Sequence, residues 1–135
     1  MRTKEIDKWV QEGGDLPQEL TEDEKAYLTK LGWTTMVMEY LNGQKEFERH
    51  YLHGKKHGKW EWCLSNGQKD YERHYLHGKP HGKHKGWWNN GQKYFEYHYF
   101  HGMKHGVLKE WDKDGTLTKE IDKWVEEGGS PPLRS

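Results

Sequence analysis

An interval of 24 residues governs what this chain can fold into. Asn-Gly-Gln-Lys stands at 42–45, 66–69 and 90–93, and Asp114-Gly115 falls one interval further on. His-Gly recurs at 53–54, 77–78 and 101–102, and a second His-Gly at 57–58, 81–82 and 105–106. A spacing held over so many markers means stacked copies of one supersecondary unit, none able to bury a core alone. Asn-Gly between alternating segments signals a hairpin, because a two-residue type I′ turn needs positive φ at both positions. Treating each Asn-Gly as such a loop fixes the register. Leu64 then faces Lys69, Trp62 faces Tyr71 and Trp60 faces Arg73; Met38 faces Phe47 and Met36 faces Arg49. In the later units Trp87 faces Tyr94, Lys85 faces Glu96, Leu108 faces Ile121, Lys109 faces Glu120 and Glu110 faces Lys119. Rings meet rings and acids meet bases, as cross-strand neighbours should, and a slip of one residue would scramble them all. The links His53–Gly58 and their copies join neighbouring hairpins, with Gly supplying the corner conformations.

The expected fold is therefore mainly β: a single-layer antiparallel hairpin meander of about eight strands, twisted as sheets are. It spans residues 33–122, between a helical cap at 1–32 and a tail at 123–135. Alternation sorts its side chains onto two faces. One carries Phe47, Tyr71 and Phe95, then Tyr51, Tyr75 and Tyr99, with Trp60 and Trp62, and with Arg49, Arg73 and Tyr97 between them. The other carries Glu48, Glu72 and Glu96, then His50, His74 and His98, then Leu52, Leu76 and Phe100. Trp60, Trp62, Tyr71, Arg73, Tyr75, Tyr97 and Tyr99 are the candidate residues for binding a partner. The same rings would also suit a core, if the sheet folds over on itself.

Hydrophobic residues make up 31% of the chain and charged ones 33%, a balance that leans toward disorder. Against that stand an aromatic content of 14% and a net charge of zero, so rings can glue a thin sheet that no self-repulsion expands. Zero net charge also removes the electrostatic case for a nucleic-acid partner. The lone Cys63 excludes an intrachain disulfide and a multi-cysteine zinc site. With no apolar run of membrane-spanning length and no signal-peptide pattern, the expected setting is the cytoplasm or the inside of a larger particle, not secretion.

Residues 3–10 and 118–125 read the same, Thr-Lys-Glu-Ile-Asp-Lys-Trp-Val. In the first copy Ile6, Trp9 and Val10 fit one helical face ending at Gly13; in the second, the charges opposite Lys109 and Glu110 argue for a strand at its start. Thr21 and Glu24 form a capping box opening a helix through about Lys30, closed by Gly32. Its Leu28 and Leu31, with Leu16, Leu20 and Tyr27, are expected to cover one end of the sheet, where an open strand edge invites pairing. A surface that receives one copy of the octapeptide can in principle receive the other, which would give head-to-tail self-association through residues 3–10 and 118–125; the alternative is that the duplication is a relic of gene history with no assembly role.

The ten His are the one hint of site chemistry. Like copies sit two strands apart, about 9.5 Å, too far to share an ion, so a metal site would have to mix His within a corner, such as His53 with His57. The alternative is that His in His-Gly is a turn residue tolerating positive φ. No nucleophile, base and orienting partner fall together, and no phosphate loop follows a strand, so no catalytic residue, metal or cofactor is expected.

The phrase Tyr51-Leu-His-Gly-Lys-Lys-His-Gly-Lys-Trp60, followed by Ser65-Asn-Gly-Gln-Lys69, resembles the MORN repeat. It is most similar to the bacterial variant with units of the form Tyr-x-Asn-Gly-Lys-x-x-Gly-x-Trp and then Asn-Gly-Gln, found in antitoxin-like proteins and in some giant DNA viruses. The resemblance covers roughly residues 33–117; His stands for Asn in the corners, and His84 and Gly86 stand for rings in the third copy. It implies a non-enzymatic scaffold or protein-binding module, with an antitoxin-like form in which a toxic partner is occluded. The alternatives are a structural component of a larger assembly such as a virus particle, and a His-based metal- or pH-responsive binder.

Overall fold

A computed structural model describes residues 1–14, 16, 17 and 19–123. Helices α1 (Thr3–Glu12) and α2 (Glu22–Lys30) precede eleven strands. Eight carry the sheet: β1 (Trp33–Glu39), β2 (Lys45–Leu52), β4 (Gly58–Cys63), β5 (Lys69–Leu76), β7 (Gly82–Trp87), β8 (Lys93–Phe100), β10 (Gly106–Trp111) and β11 (Leu117–Lys123). They follow one another in chain order as a single antiparallel layer. The two-residue strands β3 (Lys55–Lys56), β6 (Lys79–Pro80) and β9 (Met103–Lys104) pair back on β2, β5 and β8. Strand β11 runs one residue past the expected boundary at 122, and the rest of the expected tail lies outside the described residues.

Most of the expected register is present. Met38 pairs with Phe47, Met36 with Arg49, Trp62 with Tyr71 and Trp60 with Arg73. Lys85 pairs with Glu96, Leu108 with Ile121, Lys109 with Glu120 and Glu110 with Lys119. Two pairs are absent: Lys69 lies opposite Cys63, not Leu64, and Lys93 lies opposite Trp87 in place of Tyr94.

The turn chemistry explains both. At Asn66-Gly67 only Gly67 has positive φ, +89°, and its N–H donates to the Leu64 carbonyl. That is a three-residue loop, a turn followed by a left-handed glycine bulge, rather than a type I′ pair. The bulge shifts the register once beside the loop, leaving the inner pairs where a two-residue loop would have put them. Asn66 contributes through its side chain, whose Oδ1 accepts from Gln68 N–H at 2.9 Å.

The two-residue turn with positive φ at both positions sits at the other end of each hairpin, in His-Gly. His53, His77 and His101 have φ of 50°, 48° and 47°, and each precedes a positive-φ glycine. The turn role read for these histidines is thus what the backbone shows. Each turn folds a short strand onto its predecessor, Leu52 against Lys55 and Tyr51 against Lys56. The second His-Gly then bulges out before the next long strand begins, as Phe47 pairs with Trp62.

The cap covers a face of the sheet, not its end. Ile6 and Val10 of α1 bury against Leu28 of α2 and against Trp33 and Leu52, with Trp9, Leu16, Leu20, Tyr27 and Leu31 around them. An amphipathic helix needs an apolar floor, which the Trp33–Leu52 pair supplies on the glutamate and histidine face. The backbone edge of β1 offers only hydrogen-bonding groups, which a helix cannot use. His57 ties this packing to the repeats: its Nδ1 accepts from His77 N–H at 3.0 Å, so its Nε2–H is left to donate to the Val10 carbonyl. The capping box at Thr21 and Glu24 is present, and Arg2 closes on Glu24 at 2.8 Å, holding that buried carboxylate well below the usual range.

The identical octapeptides adopt different structures, helix at 3–10 and strand at 118–123, with 124 and 125 outside the described residues. Propensity is equal by construction, so packing decides. The first copy has Leu28, Trp33 and Leu52 to receive Ile6 and Val10; the second has the paired edge of β10. Residues 3–10 are engaged in the chain's own cap, so strand-like exchange with residues 118–125 would require α1 to undock.

Replacing Thr21 with Ala should weaken the cap by about 1 kcal/mol, the usual value of an N-cap hydroxyl. Hydrogen exchange by mass spectrometry should then accelerate in α1 and α2 while amides of β5 to β8 keep their protection.

Candidate binding surface

The site is built from rows that cross the strands. One row runs Met38, Phe47, Trp62, Tyr71, then Gly86 and Phe95; the next runs Met36, Arg49, Trp60, Arg73, His84 and Tyr97. A third holds Tyr51, Tyr75 and Tyr99 near the His-Gly corners. No described element lies over these rows, so the rings bury one another sideways. Trp62 stacks on Tyr71 at 4.6 Å and 19° and meets Phe47 at 5.5 Å; Trp60 packs edge-on between Tyr51 at 5.2 Å and Tyr75 at 5.3 Å.

The candidate residues therefore divide. Trp60 and Tyr75 are buried, at 5% and 6% exposure, and Trp60 Nε1 donates to the His50 carbonyl at 2.8 Å. They are the packing centre of the face. Trp62, Tyr71, Tyr97 and Tyr99 are half-buried and Arg73 is exposed, which makes these five the ones a partner can reach. Arg49 lies over Phe47 at 4.0 Å and Trp62 at 4.5 Å, and its Nε is buried without a hydrogen-bond partner among the described residues. Arg73 lies over Tyr71 at 4.8 Å. Such stacking leaves the guanidinium charge at the surface of an apolar patch. Tyr97 donates to Glu110 at 2.7 Å, and burial together with that bond pushes its phenol above its ordinary range.

The third repeat compensates for its missing rings. A Cβ at Gly86 would stand 2.3 Å from Phe95 Cε1, so the Phe95 ring lies over the glycine and fills the place of the absent side chain. His84 occupies the position of Trp60 one repeat on. It is buried, 4.4 Å from the Tyr99 ring, with Nε2 at 2.9 Å from the His74 carbonyl. Burial, aided by the charges of Arg73 and His74, holds its imidazole down at about 4.

The opposite face is electrostatic. Glu48 faces Glu61, and Glu61 faces Glu72, which would repel if left alone. Lysines reach across to bridge them: Lys45 to Glu48 and Glu61 at 2.8 and 3.0 Å, Lys59 to Glu61 and Glu72 at 3.7 Å, and Lys69 to Glu72 at 3.1 Å. A hydrogen bond from His50, with Lys45, keeps Glu48 ionised down to about 2. Burial would raise Glu72, but Lys69 and Lys59 bring it below its ordinary value. Between this charged floor, with Trp33 at its edge, and the apolar underside of the cap (Leu16, Pro17, Leu20 and Leu28) lies a cleft of about 650 Å³. Nothing in the repeat spacing indicated it, since it depends on where the cap docks.

The corners bring unlike histidines together. His57 and His77 rings are 4.8 Å apart, and His81 and His101 rings 4.9 Å apart. The distance between like copies did not anticipate these pairs. Among the described residues no group of three or more His, Cys, Asp or Glu side chains could hold a metal ion, and no helix is long and apolar enough to cross a membrane.

Two outcomes follow. The Trp62–Tyr71 pair should couple by roughly 0.5–1 kcal/mol in a double-mutant cycle to Ala read by denaturant unfolding. For pH, His84 is depressed from 6.5 to about 4, and burial also lowers His57, His81 and His98. Below pH 6.5 the unfolded chain takes up protons that the folded chain refuses, so stability is complete above that value and falls toward pH 4. Melting temperatures measured at pH 7, 6, 5 and 4 should decline, less steeply for His84→Gln. The chain matches no protein-family model, no curated protein and no solved structure.

Proposed function

We propose that the protein is a non-enzymatic interaction module of MORN-like repeats, which binds a protein partner through its aromatic face. What carries this is the uncovered state of that face: the cap packs on the glutamate and histidine side, while Trp62, Tyr71, Arg73, Tyr97 and Tyr99 remain accessible. Aromatic and arginine side chains on a rigid backbone are the groups that contribute most at protein interfaces. A folded sheet also needs little further ordering on binding, which removes part of the entropic cost of association. The antitoxin-like form of this proposal is a scaffold whose partner is neutralised by occlusion; the structural form is a subunit bridge in a larger particle such as a virion. Both use the same face.

A pH-responsive form has its own support in the buried His57 and His84, whose burial disfavours the imidazolium, and in His57 Nδ1, which accepts from His77 N–H only while the ring is neutral. In it, acidification loosens the surface and releases the partner.

Affinity capture from the native source with wild-type, Tyr71→Ala plus Arg73→Glu, and Lys93→Gln proteins should separate the faces. The expected result is a partner kept by wild-type and Lys93→Gln and lost by the double variant, each folded by circular dichroism. Retention of the same partner by all three would contradict the aromatic face as the binding surface.

A further inference from the structure

We propose that β1 is a dimerisation edge, at which two copies of the chain join their sheets antiparallel about a two-fold axis through Met36. A single-layer sheet has two edges, and among the described residues no strand pairs outside β1 or β11, two edges that are chemically opposite. Between Trp33 and Met38, β1 carries no charge and no proline, and its one register irregularity comes after Met38. Every residue from Thr34 to Glu39 is exposed, with Met36, Val37 and Met38 at 46%, 45% and 49%. The cap leaves this row open because it sits on the face beside it. Strand β11 instead presents Lys119, Glu120 and Asp122 along its length. Charged residues are what keeps an edge from pairing, and an uncharged flat edge is a template for another strand.

The backbone fixes which groups β1 offers. Gly32 C=O accepts from His53 N–H at 2.9 Å, so in this register Thr34, Met36 and Met38 exchange hydrogen bonds with β2. Trp33, Thr35 and Val37 therefore turn their N–H and C=O groups outward. Two such strands match antiparallel when Thr35 bonds Val37 of the second copy, which sets Thr34 against Met38 and Met36 against Met36. The strand is self-complementary in this arrangement.

Charge selects the second copy's β1 over its β11. Pairing β1 with β11 would place Lys119 and Glu120 against Thr, Met and Val side chains, partly desolvating them with no new partner. The β1–β1 arrangement sets no charge opposite the strand's centre. It is also isologous, so it closes as a dimer and does not propagate into fibres. A two-fold normal to the sheet keeps both aromatic faces on one side, so the row through Met36, Arg49, Trp60 and Arg73 continues across the junction into its own copy. The dimer does not depend on what that face binds.

The test uses the position that meets itself. In a Cys63→Ser background, Met36→Cys places two thiols across a pair without mutual hydrogen bonds, where Cα atoms lie about 4.5 Å apart and a disulfide can close. Under mild oxidation Met36→Cys should give a covalent dimer on non-reducing gels, and Val37→Cys should give far less. Sedimentation or light scattering over a concentration series should show wild-type protein reaching a dimer and stopping there. Met36→Lys should be at least tenfold weaker in self-association, with an unchanged circular dichroism spectrum, while Ile121→Lys on β11 leaves the dimer intact. A wild-type chain monomeric at every concentration, mass growth beyond the dimer, or equal cross-linking at 36 and 37 would overturn the proposal.

Discussion

A sheet one layer thick has no second layer to bury its apolar side chains, so each ring must be covered by the ring beside it. That constraint sets the rest of the structure. Side-by-side burial works only if rings stand in line across successive strands, which requires an identical register in every hairpin and an identical rise at every corner. The 24-residue repeat is the sequence form of that requirement. Trp60 and Tyr75 reach burial because Tyr51, Trp62 and one another close around them and Lys56 of β3 lies over both rings, 4.9 and 5.1 Å from their centres.

The geometry depends equally on the corners. The His-Gly turns reverse the chain with two left-handed residues, and the following His-Gly bulge restores the spacing of the long strands. The same corners position the cap. His77 N–H fixes the tautomer of His57, which then holds Val10 and with it the C-terminal turn of α1. One ring thereby links the repeat lattice to the one element that breaks its symmetry. The glutamate face is held by bridging lysines, whereas on the ring side Arg49 and Arg73 lie over aromatic rings.

Local signals made much of this legible. Trp62 opposite Tyr71, and Lys109 opposite Glu120, follow from counting away from the glycine turns, because a period of two gives no freedom. What escaped had physical reasons. A glycine bulge adds a residue next to the loop and removes its effect two residues later, so the Leu64–Lys69 pair fails while its inner neighbours hold. Gly86 reads as a gap in the ring row, and only the tilt of Phe95 across it shows that the gap is filled. The contact between His57 and Val10 spans 47 residues and leaves no mark in either local sequence. Identical octapeptides in helix and strand show the limit most plainly, since no reading of those eight residues alone could give both answers.

Among the described residues the aromatic face is ordered yet uncovered. Hydroxyl-radical footprinting with residue-level mass spectrometry tests it directly, because oxidation of a ring tracks its access to solvent. The expected result is protection of Trp60 and Tyr75 beside clear labelling of Trp62, Tyr71 and Tyr97 in the same native sample. Uniform protection of all five rings would mean that the sheet closes over this face as a core, and would contradict it.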